Sequence, residues 1–572
     1  MRVLTLLSLL VLISCQPQDT ANTTTSGTLK RTTGVMADSA MVVSAHPLAS
    51  QIGVDILKKG GNAIDAAIGV QFALQVVFPE AGNIGGGGFA VIRMNDGTIS
   101  SLDFREKAPR SADRDMYLDD EDKVIPNLSR VGHLAAGVPG SVAGMWALHQ
   151  KHGSLPWADL VNPAMELSYH GYKITELGAS NFNRFQELFA EVNAPYTPWM
   201  VKEGGWQAGD SVIQRELAAT FGQIRENGRD GFYKGIVANQ IVKEMQRGGG
   251  LITHQDLERY QAVWRTPVTA NYRGYEVISM PPPSSGGVAL IQLLKGAAMH
   301  DIQALGHNTA NTIHLMTELE RRVYADRATH LGDPDFYDVP TSMLLSDDYN
   351  QQRFGSISME LKTASQEIKE GAVDIIESTE TTHFSVVDKE GNAVSITTTL
   401  NGYYGCKVVV TGAGFFLNNE MDDFSAKPGV PNMFGLVGAE ANAIAPEKRM
   451  LSSMTPTIVA KDGQLFMVNG TPGGSTIITS VFQTIMNVID HDMTMQESVN
   501  AARIHSQWLP DSIYIEPNAL TKAVRDGLAE KGHGISSRER SMGKIDAILV
   551  NPDGTLEGAA DVKRGDDTAI GY

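Results

Sequence analysis

The chain is poor in cysteine. Only Cys15 and Cys406 carry thiols in 572 residues, so a disulfide framework is excluded and stability must come from packing. An excess of positive charge is also missing. With 47 Lys and Arg against 65 Asp and Glu, the formal charge is −18, which argues against nucleic acid or anionic lipid as a main partner. No HExxH, CxxC pair or EF-hand loop occurs and the 14 histidines are scattered, so neither a catalytic metal nor a cofactor is expected. Solenoid repeats and heptads are absent as well. What is present is an ordinary globular composition, 42% hydrophobic and 20% charged, which supplies ample core.

The first residues, MRVLTLLSLLVLISCQ, place one Arg before an apolar run too short to span a bilayer, the pattern of an export signal over residues 1–14. Leu12-Ile13-Ser14-Cys15 resembles the bacterial lipobox, which implies lipidation of Cys15 and a periplasmic or outer-membrane lipoprotein. Gln16 follows where an inner-membrane-retaining Asp would stand. If Cys15 is acylated, Cys406 has no partner. Residues 15–34 are polar and read as a tether.

Beyond the tether no second linker interrupts the chain. Helical patterning covers residues 50–59, closed by Gly60-Gly61, and resumes after Asn62, a candidate N-cap. The second helix, IDAAIGVQFALQVVF, is apolar nearly all round and should be buried between layers. Four segments read as hairpins: FAVIRM-NDG-TISSLDF, HFSVV-DKEGN-AVSITTT, TIVA-KDG-QLFMV and DAILV-NPDG-TLEGA. Hairpins dispersed among buried helices favour antiparallel sheets covered by helices, a layered α/β (α+β) sandwich.

Two glycine-rich stretches differ in meaning. GNIGGGGF, residues 82–89, lacks the GK[ST] ending of a phosphate loop and leads into a hairpin, so close backbone packing explains it better. In NGTPGGSTIITSVF, Gly473 and Gly474 follow a strand and open a helix, where backbone N–H groups would form an anion nest, and a mere turn fits the same residues equally well. Such donors can hold an oxyanion in acyl transfer.

ETTHFSVVD, residues 380–388, raises the question of the nucleophile. A threonine inside a chain lacks an adjacent base. If the chain breaks before Thr381, its own α-amine, with a pKa of ~7.7 to 8.0, can take the hydroxyl proton. His383 is the rival base, but two residues along a strand it lies roughly 6.5 to 7 Å away, so a packing role suits it better.

TTHFSVVDKEGNAVSITTTLNGYYG, LNNEMDDFSAKPGVPNMFG, RMLSSMTPTIV and NGTPGGS resemble the γ-glutamyltranspeptidases, N-terminal-nucleophile hydrolases. Earlier segments do so in the same order: HPLASQIGVDILKKGGNAIDAA, PEAGNIGGGGF, LDFRE, AGVPGSVAGM and MPPPSSGG. The resemblance implies a four-layer αββα sandwich of two stacked, mainly antiparallel sheets. It implies self-cleavage between Glu380 and Thr381, giving a large subunit, residues 35–380, and a small catalytic subunit, residues 381–572, intertwined as one heterodimeric domain. Thr381 would then attack the γ-glutamyl amide of glutathione or a related compound, and water or an acceptor amino acid or peptide would resolve the acyl-enzyme.

By the same resemblance Thr399 hydrogen-bonds the nucleophile, and Gly473 and Gly474 form the oxyanion hole. Arg105 holds the substrate α-carboxylate, helped by the hydroxyls of Ser452 and Ser453, and Asn401, Glu420 and Asp423 receive the α-ammonium. Residues 424–450 correspond to a lid loop, with Phe434 where bacterial relatives often carry Tyr. Cys406 is a small filler. Other readings of the same residues are a related acylase for cephalosporin side chains, a poly-γ-glutamate depolymerase, and a solute-binding lipoprotein that stays one chain. Arg105 could also be a surface residue after a hairpin, and Asp422-Asp423 a solvated turn.

Overall fold

The computed structural model describes residues 31–368, 381–427 and 439–572. Cys15, Glu380 and Phe434 lie outside the described residues, as do the export signal and most of the tether.

Two seven-stranded sheets form the centre, and all their ladders are antiparallel. One runs Thr568–Gly571, Met41–Ser44, Thr381–Val387, Ala393–Thr399, Gly87–Arg93, Ile99–Asp103, Val263–Arg265. The other runs Val35–Ala37, Leu556–Ala559, Ala547–Val550, Gln464–Asn469, Thr457–Lys461, Tyr275–Ser279, Val268–Tyr272. All four expected hairpins are present, one with a bulge between Val459 and Ala460.

The period-2 alternation of the central strands sorts their side chains between layers. Phe384, Val386, Val394, Ile396, Ala90 and Ile92 join one apolar cluster with the helices Pro47–Lys58 and Ala63–Val77. Phe89, Val91, Met41 and Val43 point the other way. They join a cluster with residues of the second sheet and the helices Gly286–Ala298, Ala310–His330 and Thr476–Ile489. The order is therefore helices, sheet, sheet, helices.

The helix expected at 50–59 begins earlier, at Pro47. Pro suits the first helical turn, where its missing N–H costs nothing, and the His46 ring accepts from the Leu48 amide at 3.2 Å. Ala63–Val77 starts as read: Asn62 accepts from the amides of Ile64 and Asp65, and Asp65 returns the bond to the Asn62 amide, each at 3.0 Å. All its residues are buried, Asp65 and the two glutamines included.

Gly85, Gly86, Gly87 and Gly88 allow backbones to touch. A Cβ on Gly85 would stand 2.0 Å from the Phe416 carbonyl oxygen, and one on Gly86 2.1 Å from that of Thr399. Close approach is thus what this stretch is for, as its sequence context suggests.

Candidate active site

Thr381 opens a strand in the middle of its sheet and lies opposite Thr399 in register. Its hydroxyl donates to Thr399 Oγ1 at 3.4 Å, and the Asn401 amide donates to the same oxygen at 2.8 Å. The Thr399 end of the neighbouring strand is held by buried amides. Gln71 from the buried helix reaches the Asn83 carbonyl at 2.8 Å, and Asn83 Nδ2 donates to Thr398 Oγ1 and the Thr399 carbonyl, both at 2.9 Å. The glycine-rich loop thereby fixes the partner of Thr381.

His383 faces the second sheet, away from this pair. Its ring bonds Thr397 Oγ1 at 2.9 Å and Ser385 Oγ at 3.1 Å, and it fills the space that a side chain at Gly470 would need. Burial pushes its pKa down to about 3. A neutral ring locked between sheets packs and bonds; it does not take protons near neutrality.

The cleft beside Thr381 is small and is lined by Arg105, Thr399, Asn401, Glu420, Asp423, Ser452, Ser453 and Gly474, with Arg327, Met454 and Ile477. Gly473 adjoins this lining through Gly474. Both glycines take positive φ, 136° and 55°, a conformation that favours glycine, just before the helix Thr476–Ile489.

Arg105 is 1% exposed, so it is not a surface residue after a hairpin. Its guanidinium meets Glu420 at 2.6 Å, pairs closely with Asp423, and lies 3.8 Å from Glu106. It also donates to the carbonyls of Met450 and Leu451, each at 3.3 Å. Burial opposes its charge, but the three carboxylates overcome this and hold it above the ordinary arginine range.

The carboxylates are perturbed in turn. Burial pushes Glu106 up to about 8 and raises Glu420 and Asp423, with Arg105 opposing each shift. Asp422 is buried and accepts from Ser129 Oγ at 2.6 Å, so this turn is not solvated. Asn401, at φ 72°, donates Nδ2 to the Asn419 carbonyl at 2.9 Å.

Ser452 and Ser453 are seated by the PPPSSGG segment. The amide and hydroxyl of Ser285 donate to the Ser452 carbonyl at 2.8 and 2.6 Å, and the Ser452 amide donates to the Pro283 carbonyl at 3.0 Å. Arg327 is the cleft residue that sequence reading missed. It sits near the end of the helix Ala310–His330, in no motif, and only the fold carries it to the cleft. Cys406 is fully buried and donates to the Leu417 carbonyl at 3.3 Å; burial pushes its thiol up to about 12.

A protein-family model described as Gamma-glutamyltranspeptidase matches residues 49–572. The chain is 46% identical to the glutathione hydrolase proenzyme of Escherichia coli (strain K12), covering 94% of this chain and 93% of that one. It is 37% identical to the Acylase ACY 1 proenzyme of Pseudomonas sp. (strain V22), over 93% of each. Among solved structures, cephalosporin acylase from Bacillus halodurans aligns with a TM-score of 0.82 at 26% identity, covering 98% of this chain and 99% of that one. A chain of the Helicobacter pylori gamma-glutamyltranspeptidase aligns at TM-score 0.56 and 45% identity, covering 60% of this chain and 97% of its own length.

Proposed function

This chain belongs to the gamma-glutamyltranspeptidase family, and on that premise we propose that it is a self-cleaving γ-glutamyltransferase and glutathione hydrolase with Thr381 as nucleophile. One observation carries the reading: the hydroxyl of Thr381 and the charged pair Arg105 and Asp423 line the same small cleft. That cleft offers a nucleophile at one end and, at the other, opposite charges suited to an amino-acid head group. In the precursor, Thr381 Oγ attacks the carbonyl of Glu380. The resulting N-to-O shift yields an ester and frees the Thr381 amine, and water then cleaves the ester. Residues 35–380 and 381–572 separate covalently yet stay together, because both stretches supply strands to both sheets.

In the cleaved enzyme the Thr381 amine takes the hydroxyl proton as Oγ attacks the γ-glutamyl carbonyl. The Gly473 and Gly474 amides receive the oxyanion, a contribution typically worth roughly 3 to 4 kcal/mol per donor. The proton passes to the leaving amine. Water or an acceptor amine then resolves the acyl-enzyme by the same steps reversed. Arg105, Ser452 and Ser453 hold the α-carboxylate, and Asn401, Glu420 and Asp423 the α-ammonium. An incoming ammonium meets the carboxyl groups of Glu420 and Asp423 that line the cleft, which suits a free amino-acid head group over a glutaryl chain that lacks the amine. That contrast separates this reading from the acylase activity named for one relative.

Export and lipidation at Cys15, with an outer-membrane location, belong to the same proposal and rest on the first sixteen residues. Among the described residues no helix is long and apolar enough to cross a membrane.

N-terminal sequencing and intact mass of the purified protein test the reading first. A piece spanning residues 381–572 and beginning Thr-Thr-His, with turnover of γ-glutamyl anilide faster than glutaryl anilide, is expected. A single uncut chain without turnover would return the solute-binding reading.

A further inference from the structure

The helix Ala310–His330 runs behind the cleft and touches it twice. Tyr324 donates its hydroxyl to the Ser475 carbonyl, next to Gly474, and three residues on Arg327 reaches the serine pair. Arg327 is buried, and two of its nitrogens have defined acceptors. Nε donates to Ser285 Oγ at 2.9 Å, and one terminal nitrogen donates to Ser453 Oγ at 3.1 Å. Ser285 in turn donates to the Ser452 carbonyl. One planar guanidinium therefore grips both ends of the Ser452-Ser453 step, a geometry a lysine cannot copy.

The chemistry of the contact fixes a direction. A guanidinium only donates, so Ser453 Oγ must accept from it. The Ser453 proton is then left to donate elsewhere, and both Ser453 and Arg327 line the cleft. A hydroxyl polarised by a neighbouring cation is a stronger donor, and a carboxylate is the acceptor it suits best. Meanwhile Arg105 is engaged by Glu420 and Asp423, so much of its charge is already answered within the protein.

We propose that Arg327 is a positioning residue for substrate selection: through Ser453 it directs a polarised hydroxyl donor into the cleft and so favours acyl donors bearing an α-carboxylate. This rests on the γ-glutamyl reading above and adds to it the element that orients the serine. Binding is affected far more than the chemical step, because Arg327 touches neither Thr381 nor the glycine loop directly.

The test compares two anilides: γ-glutamyl anilide, and 4-aminobutyryl anilide, which keeps the ammonium and lacks the carboxylate. In Arg327→Gln, still cleaved into two pieces, KM for the γ-glutamyl donor should rise about tenfold or more with kcat within about threefold of wild type. The kcat/KM for the 4-aminobutyryl donor should stay within about twofold. Arg327→Lys should recover only part of the lost affinity. Adding Ser453→Ala to Arg327→Gln should cost less than about twofold further, since the two changes remove one device. A KM near wild type in Arg327→Gln overturns the inference, as does an equal loss for both donors, which marks a merely structural role. If Arg327→Gln does not yield the two pieces, Ser285→Ala severs the Nε arm and the hydroxyl's bond to the Ser452 carbonyl, while the Ser285 amide still holds that carbonyl; it should raise KM for the γ-glutamyl donor about threefold, and an unchanged KM overturns the inference. A wild-type protein inactive on both donors overturns the functional reading itself, and this inference with it.

Discussion

Thr381 and Thr399 stand opposite each other in adjacent strands, their hydroxyl oxygens 3.4 Å apart. Because Thr399 Oγ1 also accepts from the Asn401 amide, it is anchored in the turn that follows its strand. In the proposed mechanism Thr399 steadies the Thr381 hydroxyl while the freed α-amine takes its proton.

Replacing Thr399 with valine keeps the shape and removes the acceptor. Self-cleavage and turnover of γ-glutamyl anilide should both slow by about 10- to 100-fold, and the orphaned Asn401 amide should cost roughly 1 to 3 kcal/mol of stability. Cleavage rate read on a denaturing gel, turnover and melting temperature check this together. Unchanged cleavage would remove Thr399 from the nucleophile's environment.

Gly86 supports the same pair from behind. A methyl group there would meet the Thr399 carbonyl oxygen at 2.1 Å and Asn83 Oδ1 at 2.8 Å, so backbone must move. Gly86→Ala should destabilise by about 1 to 3 kcal/mol or more and slow self-cleavage. Gly222→Ala is the control: it lies in the helix Arg215–Asn227 with nothing within 4 Å of the added carbon, and it should be neutral or stabilising by up to about 1 kcal/mol. Equal behaviour of the two variants would refute the close-contact reading of the glycine loop.

How much of this was legible beforehand depends on range. The Asn62 cap, the four hairpins and the helix after Gly473-Gly474 are written in neighbouring residues, so short-range patterns disclose them. The gathering of Arg105, Thr381, Asp423 and Ser453 was expected from family resemblance, and spacing alone does not reveal it. Arg327 was not legible at all: its helix has charged and apolar residues buried alike, so no amphipathic stripe marks a functional face. The interleaving of strands from both sides of residue 380 is likewise a property of topology, which local patterns leave open.

Cys406 is a core residue, and its thiol is held far from reactivity by burial. Thiol reagents at pH 7 to 8 should neither label Cys406 nor inhibit the native protein, since the thiolate is the reacting form. Labelling should begin only as the protein unfolds in urea. Rapid labelling with loss of γ-glutamyl anilide turnover under native conditions would contradict the filler role.

Asp546 and Asp567 form a buried acid pair. Among the described residues the carboxylate oxygens of both are buried without a hydrogen-bond partner, and burial raises the pKa of each, with Asp567 adding to the rise at Asp546. Lys544, Asp561 and Asp566 surround them. Burial pushes Asp567 up to about 7 from 3.8, with Lys544 opposing and Asp561 assisting. A folded-state pKa above the unfolded one means the native state binds more protons between these values. The pair's contribution to stability is therefore full below about pH 4 and is lost as pH rises through about 7, at about 1.4 kcal/mol per pH unit across that interval. Asp546 lies next to the path toward Gly473: its amide donates to the Gly470 carbonyl at 3.3 Å, and its carbonyl accepts from Ser385 at 2.9 Å. Asp546→Asn removes one of the two buried acids and leaves a neutral amide in its place. The variant should equal the wild type in urea stability near pH 4, gain on it as pH rises toward 7, and keep a constant lead from pH 7 to 9. Parallel stability curves between pH 4 and 7 would show that the folded protein holds no extra proton on this pair.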